Sequence, residues 1–294
     1  MKIILLMLVT MLLVGCEQQE RDMILHFDDA GSYEQFVSEE DYLEKFPFSQ
    51  AVLTRMTPWD ASRVADSCVN DRGDKSSWEL SEPEALPYLE GNNSGGEGVE
   101  VAVMDIGFCE ARMDYSDFYD ESAGGQAIGC GHGNKVSSVL REVAPDTDII
   151  GISVGCYEYR YSDFLRGVER VREIEPDVLT ISLNIQAEQA SCVLDRLVEE
   201  TGIYVFVSAG NDIPNKLANG EKVYSITGEN KNRDYVGEGD YVAPTGFRMD
   251  SSSIHGYSKE FCGTSFAAPQ VAGKTAILLG NGEPVELGRY FEEG

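Results

Sequence analysis

From residue 99 onward the hydrophobic positions switch repeatedly between spacings that suit strands and spacings that suit helices. Val99 to Met104 is an apolar run leading into Asp105, which predicts a buried strand. Val136, Val139, Leu140 and Val143 then recur at i, i+3, i+4 and i+7, predicting a helix with one apolar face that begins just after Gly131-His132-Gly133. Ile149 to Val154 reads as a strand, Phe164, Leu165, Val168 and Val171 as a helix face, Val178 to Leu183 as a strand, and Val193 to Val198 as part of a helix. Ile203 to Val207 is a further strand. Apolar strands alternating with amphipathic crossovers predict an α/β fold, a three-layer parallel sheet with helices on both faces. Sites in such sheets gather outside the carboxyl ends of the strands. Asp105, Ser182 and Asn211 each lie at or just past such an end.

The N-terminal part has a different texture. Met1 and Lys2 precede the apolar stretch Ile3 to Val14, which is shorter than the roughly 20 residues of a spanning helix and suits a signal-peptide core. Residues 1–15 are therefore expected to be an export signal. The end of this stretch, Leu13-Val14-Gly15-Cys16, resembles the bacterial lipobox, in which the Cys becomes an acylated N-terminus. The alternative is an ordinary signal peptide with an incidental Cys16. Glu17 stands where an inner-membrane retention signal carries Asp, so the resemblance implies a periplasm-facing outer membrane, where the organism has one. Residues 16–77 are rich in acidic, aromatic and turn residues with weak periodicity, and read as a lipidated tether or a pro-segment. A flexible break, Asn92-Asn93-Ser94-Gly95-Gly96, comes shortly before the first core strand. The catalytic domain is expected over residues 78–294, long enough for one sizeable core.

Fifty-one Asp and Glu against twenty-three Lys and Arg give a formal charge of -28 in 294 residues. That excess repels phosphate backbones and excludes nucleic acid as a partner. With Cys16 set aside, Cys68, Cys109, Cys130, Cys156, Cys192 and Cys262 form an even set in an exported chain, which makes all six disulfide candidates, with fifteen pairings open. A metal site built on Cys109, Cys130 and His132 is the rival reading. It is opposed by the lack of a Cys-x-x-Cys pair, and no metal is expected at the catalytic centre.

The chemistry concentrates in four segments. Gly263-Thr264-Ser265-Phe266-Ala267-Ala268-Pro269 sets a Ser between a glycine turn and an apolar, Ala-rich helix, with Pro269 expected in its first turn. There Ser265 would meet unpaired N–H groups and the positive dipole end, although a plain helix-capping Ser is the structural alternative. His132, framed by glycines, is a candidate base, whereas His26 and His255 lie in the N-terminal stretch and in a Ser- and Gly-containing loop. The Ser265 segment resembles the nucleophile motif of the subtilisin-like serine proteases, the subtilases. Val101 to Gly107 is similar to that family's strand ending in its catalytic Asp, and Gly131-His132-Gly133 to its histidine motif. The chain order Asp, His, Ser is subtilisin's.

The resemblance covers roughly residues 78 to 280. It implies a serine endopeptidase with Asp105, His132 and Ser265 as triad, acting on polypeptides. Ser208-Ala209-Gly210-Asn211 is similar to the family's oxyanion segment, which makes Asn211 the expected donor. Ser182-Leu183-Asn184, Ser208-Ala209-Gly210 and the stretch around Tyr159 would then bind substrate. Tyr157, Tyr159, Arg160 and Tyr161 read equally as a solvated loop. Asn184 replaces a glycine usual in the family, Ile106 a Ser or Thr, and Asn134-Lys135 a Thr-His pair. These departures leave open a catalytically silent subtilase-fold binding module on the cell envelope, and an esterase is a third reading. No redox or nucleotide cofactor is implied. Structural calcium is common in the family, but no loop here commits to its ligand spacing. The chain ends 29 residues after Ser265, so a shortened C-terminus is expected. Cutting at a pro-segment would release the domain from its lipid, whereas a disulfide from Cys68 to the core would keep it attached.

Overall fold

The computed structural model describes residues 21–56, 67–70, 74–75, 95–108, 114–122, 131–155, 158–229, 237–249 and 259–294. They divide into two units, residues 1–73 with 160–165, and residues 74–159 with 166–294. Residues 16–77, where the sequence showed only weak periodicity, fold over most of their described length into β1 (Arg21–His26), α1 (Ala30–Glu39), β2 (Glu44–Phe46), β3 (Ala51–Met56) and β4 (Ser67–Asn70). The strands form an antiparallel sheet in the order β2-β3-β1-β4. Met23, Leu25 and Phe27 recur with the strand period of two and bury against Tyr33 and Phe36 of α1 and Val52 of β3. Asp29 caps α1 by accepting the Ser32 N–H at 2.9 Å and its hydroxyl at 2.6 Å. Those bonds, the hydroxyl's first, hold its carboxyl below the usual carboxylate range.

The second unit opens with β5 (Asp74–Lys75), β6 (Glu100–Asp105), β7 (Asp117–Asp120), α2 (His132–Val143), β8 (Asp148–Ser153) and β9 (Glu158–Tyr159). It continues through α3 (Tyr161–Ile174), whose residues up to Leu165 are counted with the first unit, β10 (Val178–Ile181), α4 (Gln189–Thr201), β11 (Tyr204–Ser208), β12 (Tyr224–Glu229) and β13 (Tyr241–Pro244). β14 (Gly246–Met249), β15 (Lys259–Cys262), α5 (Thr264–Gly280) and β16 (Glu292–Glu293) complete it. Eight strands form one sheet in the order β16-β13-β12-β11-β10-β6-β8-β7, parallel throughout except for β16. Both faces are covered, as the apolar strands require. Val101, Val103, Val178 and Phe206 face α2 and α5, while Met104 reaches the other side, against Gly167 of α3.

Three expectations shift. β10 stops at Ile181 rather than Leu183, since Ser182 and the Leu183 carbonyl turn to side-chain partners. β12 and β13, which carried no distinct pattern, extend the sheet. Pro269 sits in the second turn of α5 rather than its first.

α2 and α5 touch at Gly273, where a Cβ would stand 3.0 Å from Val143 Cβ and 2.9 Å from its Cγ1. Gly273→Val should therefore overpack the contact at a cost of about 1–3 kcal/mol. In a Ser265→Ala background, thermal melts should show the midpoint falling by about 2–4 °C per kcal/mol. An unchanged midpoint would contradict the close packing.

Candidate active site

Asp105 ends β6, and its side chain is fully buried. A buried carboxylate needs partners. It has the Ile106 N–H at 2.6 Å, and His132 Nδ1 at 2.8 Å from Oδ1 and 3.0 Å from Oδ2. Because a carboxylate only accepts, Nδ1 carries a proton, and in the neutral tautomer this selects, Nε2 is the nitrogen with the lone pair. The backbone sets this pair up. The Gly131 N–H donates to the Gly107 carbonyl and the Gly133 N–H to that of Ile106, each at 2.7 Å, so the end of β6 is fastened to the start of α2. A Cβ at residue 131 would stand 2.6 Å from the Gly107 oxygen, which explains the glycine there. Ile106 lacks the hydroxyl usual at its position, but its N–H supports the carboxylate.

Ser265 is the second residue of α5 and partly exposed. The N-cap is Gly263, so Ser265 is not a capping residue. Of the first N–H groups of α5, which lack intrahelical partners, that of Thr264 donates to Asn211 Oδ1 at 2.9 Å and that of Phe266 to the Gly263 carbonyl. The Thr264 hydroxyl also donates to Asn211 Oδ1, at 3.1 Å. These bonds fix the orientation of the Asn211 amide: a backbone N–H can only donate, so the atom facing it is the oxygen, and Nδ2 is the remaining donor. The His132 ring lies 5.8 Å, centroid to centroid, from that of Phe266, next to Ser265.

Pro269 has no N–H, so the carbonyl four residues earlier, Ser265's own, loses its helical partner. Ser182, just past β10, supplies one: its hydroxyl donates to that carbonyl at 2.9 Å. This is why a second-turn proline is tolerated.

The expected substrate-binding residues collect at the same strand ends. Ser182, Leu183, Ser208, Ala209 and Gly210 are buried, and Asn184 is half-buried. Tyr159 and Tyr161 are buried, so the solvated-loop reading fails for them and holds for Arg160, which is exposed between them; Tyr157 lies outside the described residues. The Tyr159 hydroxyl donates to the Asn184 carbonyl at 2.5 Å. Asn215, which the sequence disguised in the polar turn Asn211-Asp212-Ile213-Pro214-Asn215, is buried between the two segments and bonded to both. Asn134 and Lys135 are likewise buried on α2.

Cys192 corrects a disulfide candidate: it stands exposed on α4 with a free thiol. Cys16, Cys109, Cys130, Cys156 and His255 lie outside the described residues. Cys68 and Cys262 fall in β4 and β15. Among the described residues no group of three or more His, Cys, Asp and Glu gathers as a metal cluster. No described helix is long and apolar enough to cross a membrane.

A model of the subtilase family matches residues 96–285. Subtilisin E of Bacillus subtilis is 25% identical over 224 residues, which covers 66% of this chain and 58% of the relative. Alkaline elastase YaB of a Bacillus strain is 24% identical over 274 residues, covering 81% and 71%. The chain thus spans less than two thirds of the length of subtilisin E. Two crystal structures share the fold. The epidermin leader peptide processing serine protease of Staphylococcus aureus superposes with a TM-score of 0.67 at 12% identity, over 92% of this chain and 90% of that one. Fervidolysin of Fervidobacterium pennivorans, a keratinolytic enzyme related to subtilisin, gives 0.64 at 15%, over 90% and 55%.

The bond from Ser182 can be tested by a double-mutant cycle. Ser182→Ala should cost about 1 kcal/mol in denaturant unfolding. Pro269→Ala restores an N–H for the same carbonyl, so in that background the cost should shrink. Equal costs in both backgrounds would disprove the compensation.

Proposed function

Since this chain belongs to the subtilase family, we propose that it is a serine endopeptidase working through an acyl-enzyme. The observation that carries the reading is the buried Asp105 carboxylate on His132 Nδ1, with the His132 ring 5.8 Å from that of Phe266, the residue after Ser265 in the first turn of α5. In this mechanism Ser265 Oγ attacks the scissile carbonyl carbon while His132 Nε2 takes its proton. Asp105 fixes the imidazole tautomer and stabilises the cation that forms. The oxyanion is held by the Ser265 N–H and Asn211 Nδ2, one at a helix N-terminus and the other aimed by Thr264. The intermediate collapses as His132 returns the proton to the leaving amine. Water, activated by the same imidazole, then releases the acyl group.

A fluorophosphonate should label the wild type and spare Ser265→Ala. Asn211→Ala should lower kcat by about two to three orders of magnitude, the scale on which subtilisin responds to losing its own oxyanion asparagine. Folded protein that takes up no label would instead mark a silent binding module.

β5 pairs antiparallel with β9, Asp74 opposite Tyr159 and Lys75 opposite Glu158, on one of the two segments that the family likeness gives to substrate. A peptide substrate binds an edge strand in this manner. The chain is thus its own first substrate, residues 16–77 are a pro-segment, and the cut falls shortly after Lys75. Cys16 bears the acyl anchor at the outer membrane, facing the periplasm, and the cut frees the domain from it unless Cys68 is disulfide-bonded to the core. Intact mass spectrometry decides this. Wild type should yield a fragment beginning within a few residues of Lys75, Ser265→Ala should stay whole, and Cys16→Ser should lose the acyl mass. A wild-type chain left whole refutes self-cleavage.

A further inference from the structure

β10 and β11 are adjacent parallel strands, and both lead toward Ser265. Ser182, past β10, holds the Ser265 carbonyl, and Asn211, past β11, is held by Thr264. Their extensions, Ser182–Asn184 and Ser208–Gly210, leave the sheet side by side and frame a crevice beside Ser265. In the proteolytic reading, on which this inference rests, that crevice receives the side chain just before the scissile bond.

Asn215 lies across that crevice and is 1% exposed. Its Nδ2 donates to the Leu183 carbonyl at 2.6 Å on one side and to the Ser208 carbonyl at 2.8 Å on the other. Its Oδ1 accepts the Ile185 N–H at 3.1 Å and the Leu217 N–H at 3.2 Å. Both donors and both lone pairs are consumed. Two carbonyls bonded to one nitrogen stand no farther apart than two hydrogen bonds, so at this level the walls keep about the 4.8 Å spacing of paired strands. An aromatic ring sandwiched between walls needs about 7 Å.

The rim is fastened as well. Gly210 has φ +109°, and a Cβ there would meet the Ile213 carbonyl oxygen at 2.2 Å, so the turn folds back directly on this wall. From the other wall, Asn184 Nδ2 donates to the same Ile213 oxygen at 3.2 Å and Gln186 Nε2 to the Pro214 carbonyl at 2.9 Å. The Tyr159 hydroxyl holds the Asn184 carbonyl.

We propose that Asn215 is the floor of a shallow subsite that admits only small uncharged side chains, Gly, Ala or Ser, immediately before the cleaved bond. Long aliphatic and aromatic side chains meet a closed floor. A lysine or glutamate would be buried against an amide with no hydrogen-bonding capacity left, which is unfavourable for any charge. The chain's own sequence agrees: the residues following Lys75, where self-cleavage is placed, are Ser76 and Ser77.

The test uses the protein expressed as the full chain and allowed to mature, and aryl phosphonate peptides that differ only in the last residue, Ala, Leu, Phe or Lys, beside a simple fluorophosphonate. The Ala probe should react at least about tenfold faster than the other three. Asn215→Ala should compress the Ala-to-Leu ratio severalfold, a ratio that a smaller folded fraction does not move. Leu, Phe or Lys probes reacting as fast as Ala, with the fluorophosphonate still labelling, would overturn the subsite alone. An unchanged ratio in Asn215→Ala would overturn the role of Asn215. Failure of the fluorophosphonate itself would overturn the proteolytic reading and this inference with it.

Discussion

A helix that is apolar on every side is stable only inside a protein, and α5 is such a helix. From Phe266 to Leu278 nearly every side chain is buried, against the sheet on one side and α2 on another. Its position is thereby fixed by packing over several turns, and the position of its first turn follows. Ser265 is held at the carboxyl ends of the strands by the sum of those contacts rather than by any bond of its own side chain. The sheet's role is to offer this helix a surface, and to deliver Asp105, Ser182 and Asn211 to the level at which the helix begins.

At that level, polar groups left over by secondary structure are matched with each other. The proline in α5 releases a carbonyl and Ser182 takes it. The unpaired N–H of Thr264 orients the Asn211 amide. The carboxylate that would be costly to bury alone is met by the Ile106 N–H and by His132. Each pairing satisfies a group that burial would otherwise penalise, and the last two also aim a side chain that the proposed chemistry uses.

Much of this was legible in the sequence because the signals were local. Strand runs ending in Asp105 and Val207, a helical period after His132 and a glycine before Thr264-Ser265 all report on neighbours a few residues away. What stayed hidden depended on distant partners. Asn215 looks like any turn residue until β10 and β11 are set side by side. Pro269 looked like a first-turn proline because nothing nearby reveals that Ser182, far back in the chain, can replace a helical bond. The N-terminal unit was obscured by short strands and acidic surface positions, although Met23, Leu25 and Phe27 do alternate. Cys192 is a disulfide candidate by arithmetic alone, and the structure leaves its thiol free.

The joint between β6 and α2 is made of main-chain bonds, Gly131 to Gly107 and Gly133 to Ile106. These do not depend on which side chains stand at 105, 132 or 265. Holding and reacting are therefore carried by different atoms. Replacing any one of those three side chains leaves these bonds in place, so the scaffold outlasts whatever chemistry it carries.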